Sequence, residues 1–371
     1  MFTFKCNYCN ETYPAGSMIW RCRCGHYLDI EYDYHFDPKL IDTRHHGLWR
    51  YKAFLPLLND DIVSFGECLT PLDKYQLEGQ SFFLKHDYLF PSGSFKDRGN
   101  ALMMSWLKAM NIDSVIEDSS GNAGASLAMY AARAGISARI FVPAATSASK
   151  LLQAEACGAE IVRVEGDRQS TADETLRQSA TSFYASHVYN PLFYHGTKTL
   201  AYELYEQMQG SLAENIIIPV GNGSLLLGLL TGFEDLYKAG LIDAIPCLIA
   251  VQQQDYAPLF HEGGGSLHSN TAIMPTLAEG IAISKPLRLK QMKDMLTKYK
   301  GRVVIVSDRM IRDALCLAFS IGCYIEPTAA VAFAGFVKLR KEFRADEKVV
   351  VLLTGNGLKA SATIGKLLPI T

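Results

Sequence analysis

The sequence carries little net charge and lacks the features that identify secreted, membrane or nucleic-acid-binding proteins. Its 371 residues contain 36 Lys and Arg against 38 Asp and Glu, a formal net charge of −2 with both signs spread along the chain. This balance argues against a nucleic-acid or anionic-membrane partner, because either would require a basic face. Met1–Asn10 has no apolar core typical of a signal peptide, and the nine cysteines form no paired framework. We therefore expect a cytoplasmic protein in a reducing compartment.

Long hydrophobic runs are also scarce. The single uncharged stretch long enough to span a membrane covers residues 215–233. Pro219 and the turn residues Gly221, Asn222 and Gly223 interrupt it, and unpaired backbone at such a turn is costly in lipid. We predict a buried strand, a tight turn and the start of a helix. No G-x-S-x-G elbow, Walker loop or Cys–His nucleophile pair is present.

Short β-rich runs alternate with Ala- and Leu-rich helical runs, for example strand Glu160–Val164 and helix Ser170–Tyr184. This alternation predicts an α/β protein with two open, twisted, mostly parallel sheets that carry helices on both faces. Ligands of such sheets bind at the carboxyl ends of strands, so we expect a site in a cleft between two domains. We predict a small N-terminal unit at 1–35, a large domain at 36–98 and 196–371, and a small domain at 99–195.

The segment Pro91–Gly99 places Lys96 after a strand and at the start of a helix. A helix N-terminus disfavours a cation, so a lysine held there is better suited to be neutral or to form a covalent imine. The alternative is a polar turn that caps a helix and leaves Lys96 solvated.

Three further turns follow predicted strands. Ser119, Ser120 and Asn122 open an Ala-rich helix, and backbone N–H groups there favour a substrate carboxylate, although the segment also fits an ordinary helix cap. Gly221–Ser224 can cradle a phosphate on successive N–H groups. Thr354 ends the last strand, where its hydroxyl is placed to meet a ring nitrogen or merely to begin a turn. Gly263–Gly265 competes for the phosphate, but without flanking strand and helix it is typical of a surface loop.

Four cysteines are crowded at the N-terminus. Cys6 and Cys9 are separated by two residues, and Cys22 and Cys24 by one. Such pairs can place four thiolates tetrahedrally around a structural zinc, although the second pair is one residue shorter than the usual knuckle. The alternative is a set of reduced cysteines without metal.

Taken in order, these motifs resemble the fold-type II pyridoxal-phosphate enzymes, and most of all threonine synthase and its relatives, including cysteate synthase. The resemblance also includes Gly66–Leu72, Glu326–Ala330, the Asn190-Pro191 pair and Gly196–Thr199, and it extends over nearly the whole chain. It implies pyridoxal 5'-phosphate as cofactor, bound in the interdomain cleft, a small amino acid as substrate and a possible homodimer. The cofactor residues that it implies are Lys96, Asn122, Gly221, Asn222, Gly223, Ser224 and Thr354.

By this resemblance, Lys96 holds the cofactor as an imine and, once released, its neutral amine removes the substrate's α-proton. Asn122 meets the ring's phenolic oxygen, and Thr354 meets the ring nitrogen. Because Thr354 is uncharged, it favours loss of a leaving group over transamination. Ser119 and Ser120 take the substrate carboxylate.

The chain departs from the family where threonine synthases bind the phosphate of their substrate. The family has a serine and an arginine around the Asn-Pro pair, and this chain has Val188 and Phe193. Losing an arginine removes a bidentate phosphate clamp, for which Lys198 or Arg98 would have to compensate. In addition, Asn356 replaces the usual histidine, and Ala360 an acidic residue.

Three functions stay open. The first is a threonine synthase-like lyase acting on O-phosphohomoserine. The second is a β-replacement synthase or ammonia-lyase acting on serine, threonine or O-phosphoserine. The third is a non-catalytic binding protein that has kept the fold.

Overall fold

A computed structural model of the chain describes residues 2–261 and 275–367, and the glycine run Gly263–Gly265 lies outside the described residues. The contacts divide the chain into two compact units. Unit 1 comprises Met1–Cys68 and Lys96–Thr199, and unit 2 comprises Leu69–Phe95 and Leu200–Thr371. Residues 36–68 thus group with unit 1, whereas the sequence prediction assigned them to the larger domain; the finer three-part division stays a prediction.

The strands in the described residues are β1 (Phe2–Lys5), β2 (Thr12–Pro14), β3 (Asp29–Tyr32), β4 (Leu72–Leu77), β5 (Gln80–Lys85), β6 (Ser114–Glu117), β7 (Ser137–Pro143), β8 (Glu160–Val164), β9 (Phe183–Tyr184), β10 (Asn215–Pro219), β11 (Cys247–Gln253), β12 (Arg302–Val306) and β13 (Val349–Leu352). The α-helices there are α1 (Lys96–Ala109), α2 (Asn122–Ala134), α3 (Ala148–Ala156), α4 (Arg168–Gln178), α5 (Pro191–Thr197), α6 (Thr199–Gln207), α7 (Ser224–Lys238), α8 (Leu289–Lys298), α9 (Asp308–Ser320), α10 (Pro327–Leu339) and α11 (Ser361–Leu367).

Unit 1 contains two sheets. The N-terminal strands form an antiparallel sheet in the order β2-β1-β3, and the other four form a parallel sheet in the order β8-β7-β6-β9. The small sheet packs on α1, where Trp106 donates its indole N–H to the Ala15 carbonyl and stacks edge-on with Phe4. Because β6 and β9 are parallel neighbours, the residues that follow them lie at the same edge of the sheet.

Unit 2 is built on a six-stranded sheet in the order β12-β11-β10-β13-β5-β4. All its neighbouring pairs are parallel except β4 with β5. Helix α10 lies against the central strands so closely that a Cβ on Gly335 would come within 2.5 Å of the Val251 side chain. The carboxyl ends of β10 and β13 meet at one edge, which brings Gly221 and Thr354 to the same side of this sheet.

The predicted α/β class with mostly parallel sheets is confirmed, and one predicted helix is wrong in its second half. The predicted helix Ser170–Tyr184 ends at Gln178, and Phe183–Tyr184 instead forms β9 beside β6. The physical reason is that the two aromatic side chains are buried there as part of the sheet. Residues 215–233 form the predicted strand, turn and helix, and no helix in the described ranges is both long and apolar enough to cross a membrane.

Candidate active site

The backbone that leads to Lys96 is fastened within unit 2 to the loop after β13. Ser94 bridges to Gly355, the Phe95 N–H donates to the Thr354 carbonyl at 3.1 Å, and the Asn356 N–H donates to the Gly93 carbonyl at 2.9 Å. Gly93 adopts φ +82°, a left-handed conformation that glycine reaches at little cost. The residue before the lysine is therefore held by regular backbone hydrogen bonds.

Lys96 itself is the first residue of α1 and is half-buried. Its Nζ lies 5.7 Å from the centre of the Phe193 ring. Phe193 is fully buried and packs on the first turn of α1, because a Cβ on Gly99 would come within 2.6 Å of the ring. An aromatic face thus stands beside the lysine in unit 1.

The turn after β6 opens α2 with its predicted polar residues. Ser119 Oγ accepts from the Gly121 N–H at 3.4 Å, and Asn122 is the first helical residue. A Cβ on Gly124 would lie 1.9 Å from the Ser119 carbonyl oxygen, so only glycine lets the turn fold this tightly against the helix. The first turn of a helix presents N–H groups without intrahelical partners, which suits a carboxylate.

The second predicted turn lies in unit 2 between β10 and α7. Gly221 and Gly223 are buried, Asn222 is half-buried, and Ser224 begins the helix. Gly223 has φ +87°, and a Cβ there would come within 2.0 Å of the Met292 sulfur. The glycines therefore leave room for a close approach of the backbone, as a phosphate at a helix N-terminus requires.

Thr354 is the residue that most directly fits a ring-shaped cofactor. Its side chain is 2% exposed, and its Oγ1 has no hydrogen-bond partner among the described residues. An unsatisfied buried hydroxyl costs about 1–3 kcal/mol. A ring nitrogen of pyridoxal phosphate would relieve that cost, so Thr354 fits the implied cofactor.

The positions predicted to bind the substrate differ in their surroundings. Val188 is half-buried and its N–H donates to Ser186 Oγ at 3.3 Å. Lys198 is fully buried, lies over the Tyr34 ring and donates to the Tyr34 hydroxyl. Arg98, the other candidate for a replacement phosphate clamp, is also fully buried and donates to Thr199 Oγ1 at 3.2 Å. Both cations therefore have protein partners.

Two residues that the sequence analysis missed lie in unit 1, at the edge where β6 and β9 end. Glu117 is completely buried, and its Oε1 lies 2.7 Å from Nδ1 of His187. Burial raises the pKa of the Glu117 carboxyl well above its usual value, and the Asp118 carboxylate raises it further. Burial lowers the pKa of His187 well below its usual value, as do the charges on Lys96 and Arg168. The signal that could have found them is an acidic residue at a strand's carboxyl end, two residues before Ser119.

The four N-terminal cysteines come together as predicted. Their Sγ atoms all lie within 4.8 Å of one another, with Cys6 to Cys24 at 3.6 Å and Cys9 to Cys22 at 3.4 Å. A tetrahedral zinc with bonds of about 2.3 Å has sulfur–sulfur edges of roughly 3.8 Å. The cluster is therefore compatible with a four-thiolate metal site.

The chain is similar to known proteins along nearly its whole length. A family model described as pyridoxal-phosphate dependent enzyme matches residues 63–355. Threonine synthase from Methanocaldococcus jannaschii is 31% identical over an alignment of 377 residues, gaps included, that covers 96% of this chain and 92% of that protein. The threonine synthase of Methanosarcina acetivorans is 29% identical over 381 residues, which cover 98% and 94%.

Solved structures show the same fold. Threonine deaminase isoform 2 from Solanum lycopersicum, in its processed form, matches with a TM-score of 0.69 at 22% identity, covering 92% of this chain and 91% of that one. Maize serine racemase matches with a TM-score of 0.67 at 20% identity, covering 80% and 91%. The predicted resemblance is confirmed: the chain belongs to the family of pyridoxal-phosphate dependent enzymes, as a threonine synthase-like member.

Proposed function

We propose that the protein binds pyridoxal 5'-phosphate through Lys96 and carries out elimination or replacement on a small amino acid. The observation that carries this proposal is the lysine at the first turn of α1, directly after a backbone that is hydrogen-bonded to the Thr354 loop. A reactive amine must extend from a backbone position that does not move, and these backbone hydrogen bonds hold the residue before Lys96 in place.

Each predicted residue has a role in the proposal. The Gly221, Asn222, Gly223 and Ser224 N–H groups bind the cofactor phosphate, and Asn122 and Thr354 orient the ring. Ser119 and Ser120, with the start of α2, bind the substrate carboxylate. When bound, pyridoxal phosphate supplies an electron sink for the bonds at the substrate's α-carbon.

Proton transfer is the task of the chain's own side chains. The neutral Lys96 amine takes the α-proton. The buried Phe193 ring beside it excludes water from one side of the amine. The Thr354 hydroxyl is uncharged and gives a hydrogen bond without giving up a proton. That neutrality favours loss of a leaving group over transamination.

Two substrate classes follow. The full-length likeness to threonine synthases supports O-phosphohomoserine, converted to threonine and phosphate. A specific observation favours the second class, which is serine, threonine or O-phosphoserine. Val188 and Phe193 offer no phosphate donors, and Arg98 and Lys198 already donate within the protein.

The cofactor assignment is tested on purified protein. We expect a visible absorbance band and, after borohydride reduction, a cofactor adduct on the peptide that contains Lys96. Lys96→Ala should abolish both the band and turnover, whereas Lys108→Ala, at an exposed position of the same helix, should retain them. Absence of the band in wild-type protein supplied with cofactor would support the binding-protein alternative.

The substrate assignment is tested by incubating the enzyme with O-phosphohomoserine, serine, threonine and O-phosphoserine. Threonine and phosphate from O-phosphohomoserine would support the first class. Keto acid and ammonia, or a replacement product, from the other three would support the second.

We also propose that Cys6, Cys9, Cys22 and Cys24 hold one structural zinc ion. Four thiolates leave no open coordination position, so the ion would stabilise the fold rather than take part in catalysis. Metal analysis of reduced protein should find about one zinc per chain, and Cys6→Ser should lose it. A Cys68→Ser control, outside the cluster, should retain the zinc. The homodimer implied by the resemblance stays a prediction for light scattering to test.

A further inference from the structure

The buried pair of Glu117 and His187 has no role in the function proposed so far. Glu117 is the last residue of β6, and His187 follows the parallel neighbour β9; the Oε1–Nδ1 distance of 2.7 Å is that of a strong hydrogen bond. Glu117 is 0% exposed and His187 is 9% exposed. A carboxyl group hydrogen-bonded to Nδ1 of an imidazole is a recurring arrangement for moving a proton through the imidazole.

The contacts around Glu117 indicate that it is a neutral acid. Its Oε2 is buried and accepts no hydrogen bond from the described residues. No Lys or Arg among the described residues pairs with Glu117, so an ionised carboxylate there would be buried without a cation, which disfavours the charged form. The pKa directions given above for Glu117 and His187 agree, since both favour the uncharged form.

The neighbouring cation Arg168 has an anionic partner other than Glu117. Asp118 pairs with Arg168 at 2.6 Å and accepts from the Tyr184 hydroxyl at 2.7 Å. Lys96 is the other charged group that acts on the pair. Glu117 therefore has a proton to give, while the anionic partner of Arg168 is already supplied by Asp118.

The pair also lies close to the reacting lysine. The His187 ring is 5.7 Å from the centre of the Phe193 ring, and the Lys96 amine is 5.7 Å from that same centre. Glu117 precedes by two residues the serine that we propose for the substrate carboxylate. A small amino acid held by Ser119 and Lys96 would therefore place its side chain near this part of unit 1.

The chemistry of the leaving group connects these observations. Phosphate departs as a stable anion, but hydroxide does not, so a hydroxyl leaving group requires a proton in the transition state. The positions where the family has its phosphate donors hold Val188 and Phe193, and the cations Arg98 and Lys198 donate to protein groups. A neutral acid stands there instead.

We propose that His187, backed by Glu117, protonates the hydroxyl leaving group of a small hydroxy amino acid such as serine or threonine. The inference rests on the proposed function and narrows it to this substrate class. As the Cβ–O bond breaks, its electron pair stays on oxygen, Nε2 of His187 gives that oxygen a proton, and water departs. At the same time Nδ1 of His187 takes the proton of Glu117, which becomes a carboxylate. Lys96 then releases the α-proton to solvent, and Glu117 takes up a proton from solvent. His187 is thus a catalytic residue and Glu117 a positioning residue.

The test compares two leaving groups on the cofactor-loaded enzyme. With serine, His187→Gln and Glu117→Gln should lower kcat/KM by about 10²- to 10⁴-fold, the usual size of a general-acid effect. With β-chloro-L-alanine, whose chloride needs no proton, the same variants should stay within about threefold, because only the proton-dependent step is lost. Tyr184→Phe is the matched control: it removes a neighbouring buried hydrogen bond and should change both substrates by the same factor.

A second readout does not depend on turnover. Nitrogen-15 NMR of the histidine side chains, assigned with His187→Gln, should show His187 neutral at pH values where an exposed histidine is protonated. Titration of His187 near the ordinary value of about 6.5 would overturn the inference.

Two kinetic results would also overturn it while leaving the cofactor assignment intact. One is an equal loss on serine and on β-chloro-L-alanine in His187→Gln. The other is a wild-type enzyme whose kcat/KM is higher for O-phosphohomoserine than for both serine and threonine. Failure of the proposed function is separate, because it would appear as absence of the visible band in wild-type protein.

Discussion

Glu203 in unit 2 and Glu117 in unit 1 are both fully buried glutamates, but their surroundings favour opposite charge states. In unit 2, Glu203 lies 2.5 Å from the Lys85 ammonium, which also donates to the Thr70 carbonyl and to Gln207. In unit 1, Glu117 Oε1 lies 2.7 Å from His187 Nδ1, and no Lys or Arg among the described residues pairs with Glu117. The difference teaches that burial alone does not set charge: hydrogen-bond partners decide whether a buried acid keeps its proton.

The largest expected effect comes from breaking the charged pair of unit 2. Lys85→Met leaves the Glu203 carboxylate buried without its cation, which should lower the free energy of unfolding by about 3–5 kcal/mol. Urea denaturation measures this change. The double variant Lys85→Met/Glu203→Leu should recover most of the loss, because it removes the uncompensated charge as well. A double variant as unstable as Lys85→Met would contradict the assignment of the loss to that charge.

The acid of unit 1 should show its neutrality in the pH dependence of stability. The pKa of Glu117 is raised in the folded state. As the pH rises above about 4.5, its ordinary pKa, the unfolded chain therefore loses this proton while the folded chain still holds it. Folded stability therefore falls as pH rises from there toward the folded pKa, by up to about 1.4 kcal/mol per pH unit from this group. Glu117→Gln should remove that fall, gaining stability relative to wild type between pH 5 and 7.

Thermal or urea unfolding at several pH values checks this prediction. His187 contributes with the opposite sign, since its lowered pKa costs stability as pH falls below 6.5, so His187→Gln is the companion variant. A difference between Glu117→Gln and wild type that is the same at pH 5 and pH 7 would mean that Glu117 is ionised.

A smaller effect is expected at Thr354, where the unsatisfied group is uncharged. Thr354→Val keeps the shape and removes a buried hydroxyl that has no partner among the described residues. We expect the cofactor-free protein to be as stable as wild type or more stable by up to about 1 kcal/mol. Affinity for pyridoxal phosphate should fall about tenfold, the value of one hydrogen bond, as measured by absorbance titration. Unchanged affinity would count against contact with the ring.

The smallest effect is expected at a solvent-exposed ion pair, which serves as the comparison for the two buried glutamates. Glu174 forms an exposed pair with Arg177 at 2.6 Å on α4, and Arg177 holds the pKa of Glu174 down to about 2. Because water screens this pair, Glu174→Gln should leave the urea midpoint unchanged within error. A clear loss would show that this surface pair stabilises the fold measurably.

The sequence predicted those parts of the molecule that are encoded locally. Strand Glu160–Val164 matches β8, and the glycine- or serine-bearing turns after β6, β10 and β13 were placed correctly, because each follows an apolar run that ends in small polar residues. Lys96 was predicted at a helix start and is the first residue of α1. The roles of these residues toward cofactor and substrate stay predictions.

The parts that could not be predicted depend on contacts between residues distant in sequence. The partnership of Glu117 with His187 joins positions 70 residues apart, and neither residue type reveals it alone. The hydrogen-bond partners of Lys198 and Arg98 are likewise distant in sequence and could be identified only from the folded structure. The short strand Phe183–Tyr184 was missed because pairing with β6, rather than local propensity, defines it.

The backbone ladder between Gly93–Phe95 and Thr354–Asn356 also limits how this enzyme can be altered. One residue of extended chain covers about 3.5 Å, more than twice the length of a carbon–nitrogen bond. An insertion or deletion of one residue between Phe90 and Lys96 would therefore either break the ladder or carry the amine out of bonding range. Homologues and engineered variants that keep the chemistry should hold the lengths of these two segments constant while their surface loops vary freely.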